Sequence, residues 1–258
     1  MPREVGPWTK EKLRILSQYL PVYLQATTKA IERIYIDGFA GPGTNRIEGT
    51  NEVIEGSPLI ALGAQAKNGT AFDKLFFIER DRGTVSELRD ALRSADPTGR
   101  ATVVAGDVNV ELPKLVETLS KRSPTFVFLD TEGIEPRWET LRSIAAWQTE
   151  LLINFPLGMA INRNPNSVKA REYFGTDEWH RIWESFGIGR LRRLLDFYKG
   201  RLRDLGWQHT TDIDPLITAT RGQQLYYLIF VSKVEPGKRI MKWVQEQPDA
   251  RGQLQFRF

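Results

Sequence analysis

Ile34-Tyr35-Ile36-Asp37-Gly38-Phe39-Ala40-Gly41-Pro42-Gly43 is an apolar, strand-like run that ends in an acid and opens into a turn with three glycines. Glycine has no Cβ, so the backbone at Gly38, Gly41 and Gly43 can take positive φ and lie close against a flat or charged ligand. Such a turn suits a nucleoside cofactor. It also closes ordinary strand-to-helix connections, so its meaning depends on what surrounds it.

On either side, strand and helix signals alternate. Thr9 to Leu24 carries Leu13, Leu16, Leu20 and Leu24 at helical spacing. After the glycine turn comes a polar stretch, Thr44 to Glu55, then Gly56-Ser57-Pro58, where Ser57 suits a helix N-cap and Pro58 the first turn. Leu75 to Glu79 reads as a strand, Thr84 to Ser94 as a helix, Thr102 to Ala105 as a strand, and Leu112 to Lys121 as a helix. Thr125 to Asp130 is continuously apolar up to its acid, as a strand buried on both faces should be. Arg137 to Trp147 (helix) and Leu151 to Pro156 (strand) complete the rhythm. It predicts an α/β chain with a mostly parallel central sheet, helices on both faces, and ligands at the carboxyl ends of the strands.

Beyond Pro156 the rhythm gives way to helical signals from Asn164 to Leu205, broken by Gly175, Gly187 and Gly189. We read residues 164–205 as a helical lid inserted into one domain spanning 1–258, with 1–32 as an N-terminal helical segment. Strands return at His209 to Ile213 and Leu225 to Val231, with a helix from Lys238 to Gln245.

Composition excludes several chemistries. The 258 residues contain no cysteine and only His180 and His209, which removes disulfides, thiolate catalysis and cysteine zinc sites and leaves little for a histidine metal site. No apolar run reaches membrane-spanning length, and Met1-Pro2-Arg3-Glu4 does not begin a secretory leader, so a cytoplasmic protein is expected. A net charge of +4 is compatible with an acidic partner such as nucleic acid without requiring one. Between Arg163 and Arg203, basic residues alternate with Tyr173, Phe174, Trp179, Trp183, Phe186, Phe197 and Tyr198. These rings either stack bases beside a phosphate-tracking surface or pack a helical subdomain whose charges face water.

Acids recur where strands end: Asp37, Glu79, Asp107 and Asp130. A carboxylate at that edge must be solvated, paired or bound to something, and a nucleoside supplies partners for several. An acid ending the second strand, Glu79, would accept both ribose hydroxyls; surface salt bridging is the alternative. Asp130 and Glu132, two residues apart, suit proton acceptance or hydrogen bonding to an amine, or the holding of a hard divalent cation; alternatively Asp130 caps a turn and Glu132 is solvated. Asn154, at the next strand end, suits a base edge, with Phe155 stacking. Lys12 and Tyr19 read as a surface lysine and a packed tyrosine, with closure over a cofactor as the alternative.

The segments Asp37 to Gly43, Phe77-Ile78-Glu79-Arg80-Asp81, Gly106-Asp107-Val108 and Phe128-Leu129-Asp130 together resemble the ordered motifs of class I S-adenosylmethionine-dependent methyltransferases. Gly56-Ser57-Pro58, Leu152 to Pro156 and Phe174-Gly175-Thr176 with Trp179 make the chain similar, more narrowly, to the three-Cys-motif partner proteins, a bacterial family named after a neighbouring cysteine-motif protein. The resemblance implies a Rossmann-like fold and S-adenosylmethionine as cofactor. By it, Asp37, Gly38, Phe39, Ala40, Gly41, Gly43, Glu79, Arg80, Gly106, Asp107, Val108 and Asp130 bind that cofactor, while Asp130, Glu132 and Asn154 serve the transfer.

Two departures stand out. Asp37 and Glu79 lie further apart than the roughly twenty residues usual between a glycine turn and its ribose acid, which makes Thr44 to Glu55 an insertion that folds over the cofactor. Asp130-Thr131-Glu132-Gly133 also replaces the Asp or Asn, two prolines and an aromatic found in many amino-directed methyltransferases. The functions consistent with these residues are methyl transfer to nucleic acid or a nucleotide, a non-catalytic module partnering a cysteine-motif protein, and a carboxylate-metal nuclease or hydrolase.

Overall fold

The structure, a computed structural model, describes residues 2–131, 133–156, 168–185, 189–212, 214–219 and 222–247. From the N-terminus, β1 (Arg3–Val5) and α1 (Thr9–Ala26) precede β2 (Ile34–Asp37), the strand of the glycine turn. Next come β3 (Thr44–Ile47), β4 (Val53–Glu55), α2 (Ser57–Gly63), β5 (Lys74–Glu79), α3 (Arg82–Ala95), β6 (Ala101–Ala105), α4 (Val108–Glu117), β7 (Thr125–Leu129), α5 (Trp138–Ile144) and β8 (Thr149–Pro156). The described remainder is α6 (Val168–Phe174), α7 (Glu178–Glu184), α8 (Arg190–Asp204), β9 (His209–Thr210), β10 (Leu216–Thr218), β11 (Gln224–Ser232) and α9 (Glu235–Gln245).

The main sheet runs β10-β11-β8-β7-β2-β5-β6, with β9 pairing β11 beside it. β8, β7, β2, β5 and β6 are mutually parallel, and β11 is antiparallel to both of its long neighbours. From β2 the chain goes to β5 and β6 on one side and later to β7 and β8 on the other. The carboxyl end of β2 therefore sits at the topological switch point, where open α/β sheets hold ligands. This is the expected Rossmann-like architecture, a mostly parallel central sheet with helices on both faces.

Side chains two residues apart share a sheet face, and each face has its own core. Ile34, Ile36, Val127, Leu129 and Ile153 pack with residues of α4 to α8. Tyr35, Phe77, Phe126, Phe128 and Leu152 pack with α1, α2, α3 and α9. Tyr173, Phe174, Trp179, Trp183 and Tyr198, the rings interleaved with basic residues, are buried in the first of these cores. They are therefore packing residues, as one of the two readings had it; Phe186 lies outside the described residues.

Several element expectations are corrected. The polar Thr44 to Glu55 insertion is not a simple loop: β3 and β4 form an antiparallel hairpin, and β1 adds to β3 in parallel as a third strand. The hairpin closes at Gly49, whose φ of +72° suits the turn. The N-cap of α2 is Gly56, in extended backbone at φ −83° and ψ 175°, and the Ser57 hydroxyl hydrogen-bonds Asp37. Helix α4 starts at Val108, four residues before the expected Leu112, because Asp107 caps it by accepting from Asn109 N at 2.8 Å. Asp81 does the same for α3, accepting from Thr84 N at 2.8 Å.

Candidate functional site

The glycine turn is built from both sides of β2. Gly38 N donates to Phe128 O of β7 at 2.9 Å, Ala40 N to Ile78 O of β5 at 3.1 Å, and Gly41 N to Glu79 Oε2 at 3.0 Å. Gly41 and Gly43 have φ of +66° and +88°, and a Cβ added at Gly41 would meet nothing within 4 Å. The turn thus needs glycine for its backbone shape, and at Gly41 it leaves open space beside the main chain.

Asp37 does not line a cavity. Its carboxylate is fully buried beneath the turn, accepting from Phe39 N at 3.1 Å and from the Tyr35 hydroxyl at 3.5 Å, with the Ser57 hydroxyl as a further partner. Burial raises its pKa to about 7, against the lowering effect of those hydrogen bonds. Asp37 therefore braces the turn from below.

Two cavities meet at this sheet edge. The first, about 510 Å³, is lined by Gly38, Phe39, Glu79, Arg80, Gly106, Asp107, Val108 and Asp130 among others, which gathers eight of the predicted site residues. Glu79 Oε1 accepts from Asp81 N at 2.8 Å while Oε2 takes Gly41 N. Each carboxylate oxygen has a second lone pair, so Glu79 can still accept from a ligand's hydroxyls. The Asp107 carboxylate keeps acceptor capacity too, with Arg80 3.9 Å away.

The second cavity, about 400 Å³, lies between α1, the three-stranded sheet and the carboxyl edge of β8 and the start of β11. Ala40, Gly41, Gly43 and Asn154 line it, and Phe39 and Asp130 border both cavities. The insertion reaches the site here, through Asn45 of β3.

Asp130 is held by two neighbours. Lys12 of α1 forms an ion pair with one carboxylate oxygen, and Asn154 Nδ2 donates to the other. Asn154 Nδ2 also approaches Thr131 O at 3.4 Å. Lys12 is consequently not a surface lysine: it is mostly buried and lies 5.8 Å from the centroid of the Tyr226 ring. Tyr19 is packed as expected, its hydroxyl donating to Glu150 Oε2 at 2.5 Å inside the core. Glu132 lies outside the described residues. Phe155 cannot stack on a ligand beside Asn154, because adjacent strand residues face opposite ways and its ring is buried among Tyr173, Phe174 and Tyr198.

Sequence reasoning favoured a surface position for Lys12, with closure over a cofactor only as the alternative, and it missed Tyr226, Ser57 and Arg3 as site residues. Only pairing across the fold brings them in: α1 lies over the face that carries Asn154, and the β8–β11 register sets Tyr226 opposite Pro156. Among the described residues there is no group of three or more acids or histidines placed to hold a metal ion, and no helix is long and apolar enough to cross a membrane.

No protein-family model matches this chain, and no curated protein matches it. Among solved structures, protein LPL1258 from Legionella pneumophila is similar with a TM-score of 0.54 at 12% identity, over 93% of this chain and 92% of its own. An O-methyltransferase from Bacillus cereus in complex with SAH gives 0.47 at 13% identity, over 89% and 82%. The O-methyltransferase TomG from Streptomyces achromogenes, in complex with SAM, gives 0.45 at 14%, over 86% and 79%. The first likeness is one of fold, and the other two scores are too low to add to it.

Proposed function

We propose that this protein is an S-adenosylmethionine-dependent methyltransferase acting on nucleic acid or a nucleotide. The observation that carries the cofactor half is the convergence of Glu79, the Gly38-Phe39 start of the glycine turn and the Gly106-Asp107-Val108 turn on one cavity at the switch point. The residues fit a nucleoside. Glu79 retains lone pairs for two ribose hydroxyls, Asp107 stands at the next strand end for a base amine, and Val108 and Phe39 offer apolar contact.

When bound, S-adenosylmethionine supplies a methyl group already activated by its sulfonium. The chain's part is mainly alignment, which accords with the absence of cysteine and the scarcity of histidine. Phe39 and Asp130 stand where the two cavities meet, so an acceptor in the second cavity would approach the first across them. Asp130, with Lys12 beside it, is the carboxylate placed to take a proton there. The basic excess of the chain supports an acidic acceptor such as nucleic acid. The ammonium of Lys12 on Asp130 weighs against a carboxylate-metal hydrolase.

Calorimetry with S-adenosylmethionine, followed by tritium-methyl transfer to RNA, DNA and nucleotides, tests this reading. Saturable cofactor binding that is lost in Glu79→Ala supports it, and an absence of binding to the unaltered protein overturns it. Binding without transfer to any of these acceptors would favour the non-catalytic partner of a cysteine-motif protein.

A further inference from the structure

We infer that the second cavity binds a flat, uncharged ring that carries an N–H group, and that Asn154 and Tyr226 recognise it. As the acceptor site of a methyltransferase this rests on the reading above; as a binding site it does not.

Orientation of the Asn154 amide is set by its neighbours. Asp130 Oδ1 and Thr131 O are both acceptors, so the Nδ2 side must face them and Oδ1 must face away. That Oδ1 is buried and has no hydrogen-bond partner. Tyr226 presents a second case, a buried hydroxyl without a partner, and burial raises its pKa well above the usual phenol value, so it stays protonated. Both residues line one cavity, and their unpaired oxygens, which have less than 1 Å² of accessible surface, are costly to the empty protein; a ligand that displaces the atoms covering them, donates to the first and pairs with the second relieves that cost.

Charge and shape set the remaining properties. The charged residues lining this cavity are Arg3 and Lys12 against Glu4 and Asp130, two of each sign, so neither an anion nor a cation is favoured there. Trp8, Phe39 and Tyr226 contribute ring walls, which suit a planar guest. An amine-bearing nucleobase has all these features.

The test is calorimetric titration with 1-methylcytosine and 9-methyladenine, each against its exocyclic N,N-dimethylated form, on protein saturated with S-adenosylhomocysteine so that the first cavity is filled. If S-adenosylhomocysteine does not bind, the methyltransferase reading fails by itself, and the same bases and their dimethylated forms are titrated without it. Saturable binding of at least one base is expected, about tenfold weaker for its dimethylated form, the equivalent of one lost buried hydrogen bond. Tyr226→Phe, which keeps the ring, should weaken binding by a similar factor, and Asn154→Leu should abolish it, with thermal melting confirming that both variants fold. Absence of binding by both bases, equal binding of the dimethylated forms, or unchanged affinity in a folded Tyr226→Phe protein would each overturn the inference.

Discussion

Gly41 N donates to Oε2 of Glu79 at 3.0 Å, which ties the turn after the first strand of the switch point to the end of its neighbour. The bond links two residues 38 positions apart and places a carboxylate with spare lone pairs beside open backbone. Replacing Glu79 by alanine removes the acceptor for ribose hydroxyls and unpairs Gly41 N. With charged hydrogen bonds worth about 1.5–3 kcal/mol each, cofactor affinity should fall at least tenfold, and stability should fall by roughly 1–3 kcal/mol because Asp81 N loses its acceptor along with Gly41 N, both in partly solvated positions. Calorimetry and denaturant melts on the same preparation separate the two effects, and an unchanged affinity would remove Glu79 from the site.

Lys12 and Asp130 make a second prediction. Each is mostly buried, so truncating Lys12 leaves a poorly solvated carboxylate without its cation. Lys12→Met should cost roughly 1–3 kcal/mol, below the range for a fully buried pair because some water still reaches both groups. Asp130→Asn in the Lys12→Met background should recover part of that loss. A double-mutant cycle by urea denaturation checks it, and a coupling energy of zero would mean that the pair contributes nothing.

How much of this was legible in the sequence depends on the range of the interaction. The strand run Ile34 to Asp37 and the strand-end Glu79 announce themselves locally, because period and turn chemistry act over a few residues. Their expected place at one sheet edge matched the structure because parallel βαβ units bring successive carboxyl ends together. Lys12, Tyr226 and the β1–β3 pairing were illegible for the opposite reason. Each depends on a partner more than forty positions away, and none leaves a periodic trace. Asp37 was legible as important, but its orientation was not: alternation sends it to the Tyr35 face, beneath the turn.

Two buried carboxylates predict an unusual pH dependence. Asp37 and Glu150 both have pKa values raised to about 7, chiefly by burial, against ordinary values of 3.8 and 4.5. Between about pH 4 and 7 the folded protein therefore binds more protons at these sites than the unfolded chain does, and stability falls as pH rises through that window. Glu150→Gln keeps one acceptor oxygen, for the Tyr19 hydroxyl, presents its amide N–H to the Ser232 hydroxyl oxygen, and removes the titration. The melting temperature of Glu150→Gln relative to the unaltered protein should rise from pH 5 to pH 8. A constant difference across that range would show that Glu150 does not titrate there.

Gly175 tests whether the helices from α6 to α8 are structurally part of the sheet's core. It follows the last residue of α6 with φ of +64°, and a Cβ there would come within 2.2 Å of the Trp138 indole, itself packed in the core with Phe174 and Tyr198. Arg201 of α8 lies over the same indole, 4.3 Å from the ring centroid, so Trp138 cannot yield in that direction without displacing the cation. Gly175→Ala should cost about 1–2 kcal/mol for the left-handed backbone and a further 1–3 kcal/mol for overpacking. The loss should appear in a single cooperative transition, with tryptophan fluorescence and far-ultraviolet circular dichroism melting together. If the variant instead lost the fluorescence transition early and kept the sheet to the wild-type melting point, residues 168–204 would form a separately unfolding cover on a sheet that is stable without them.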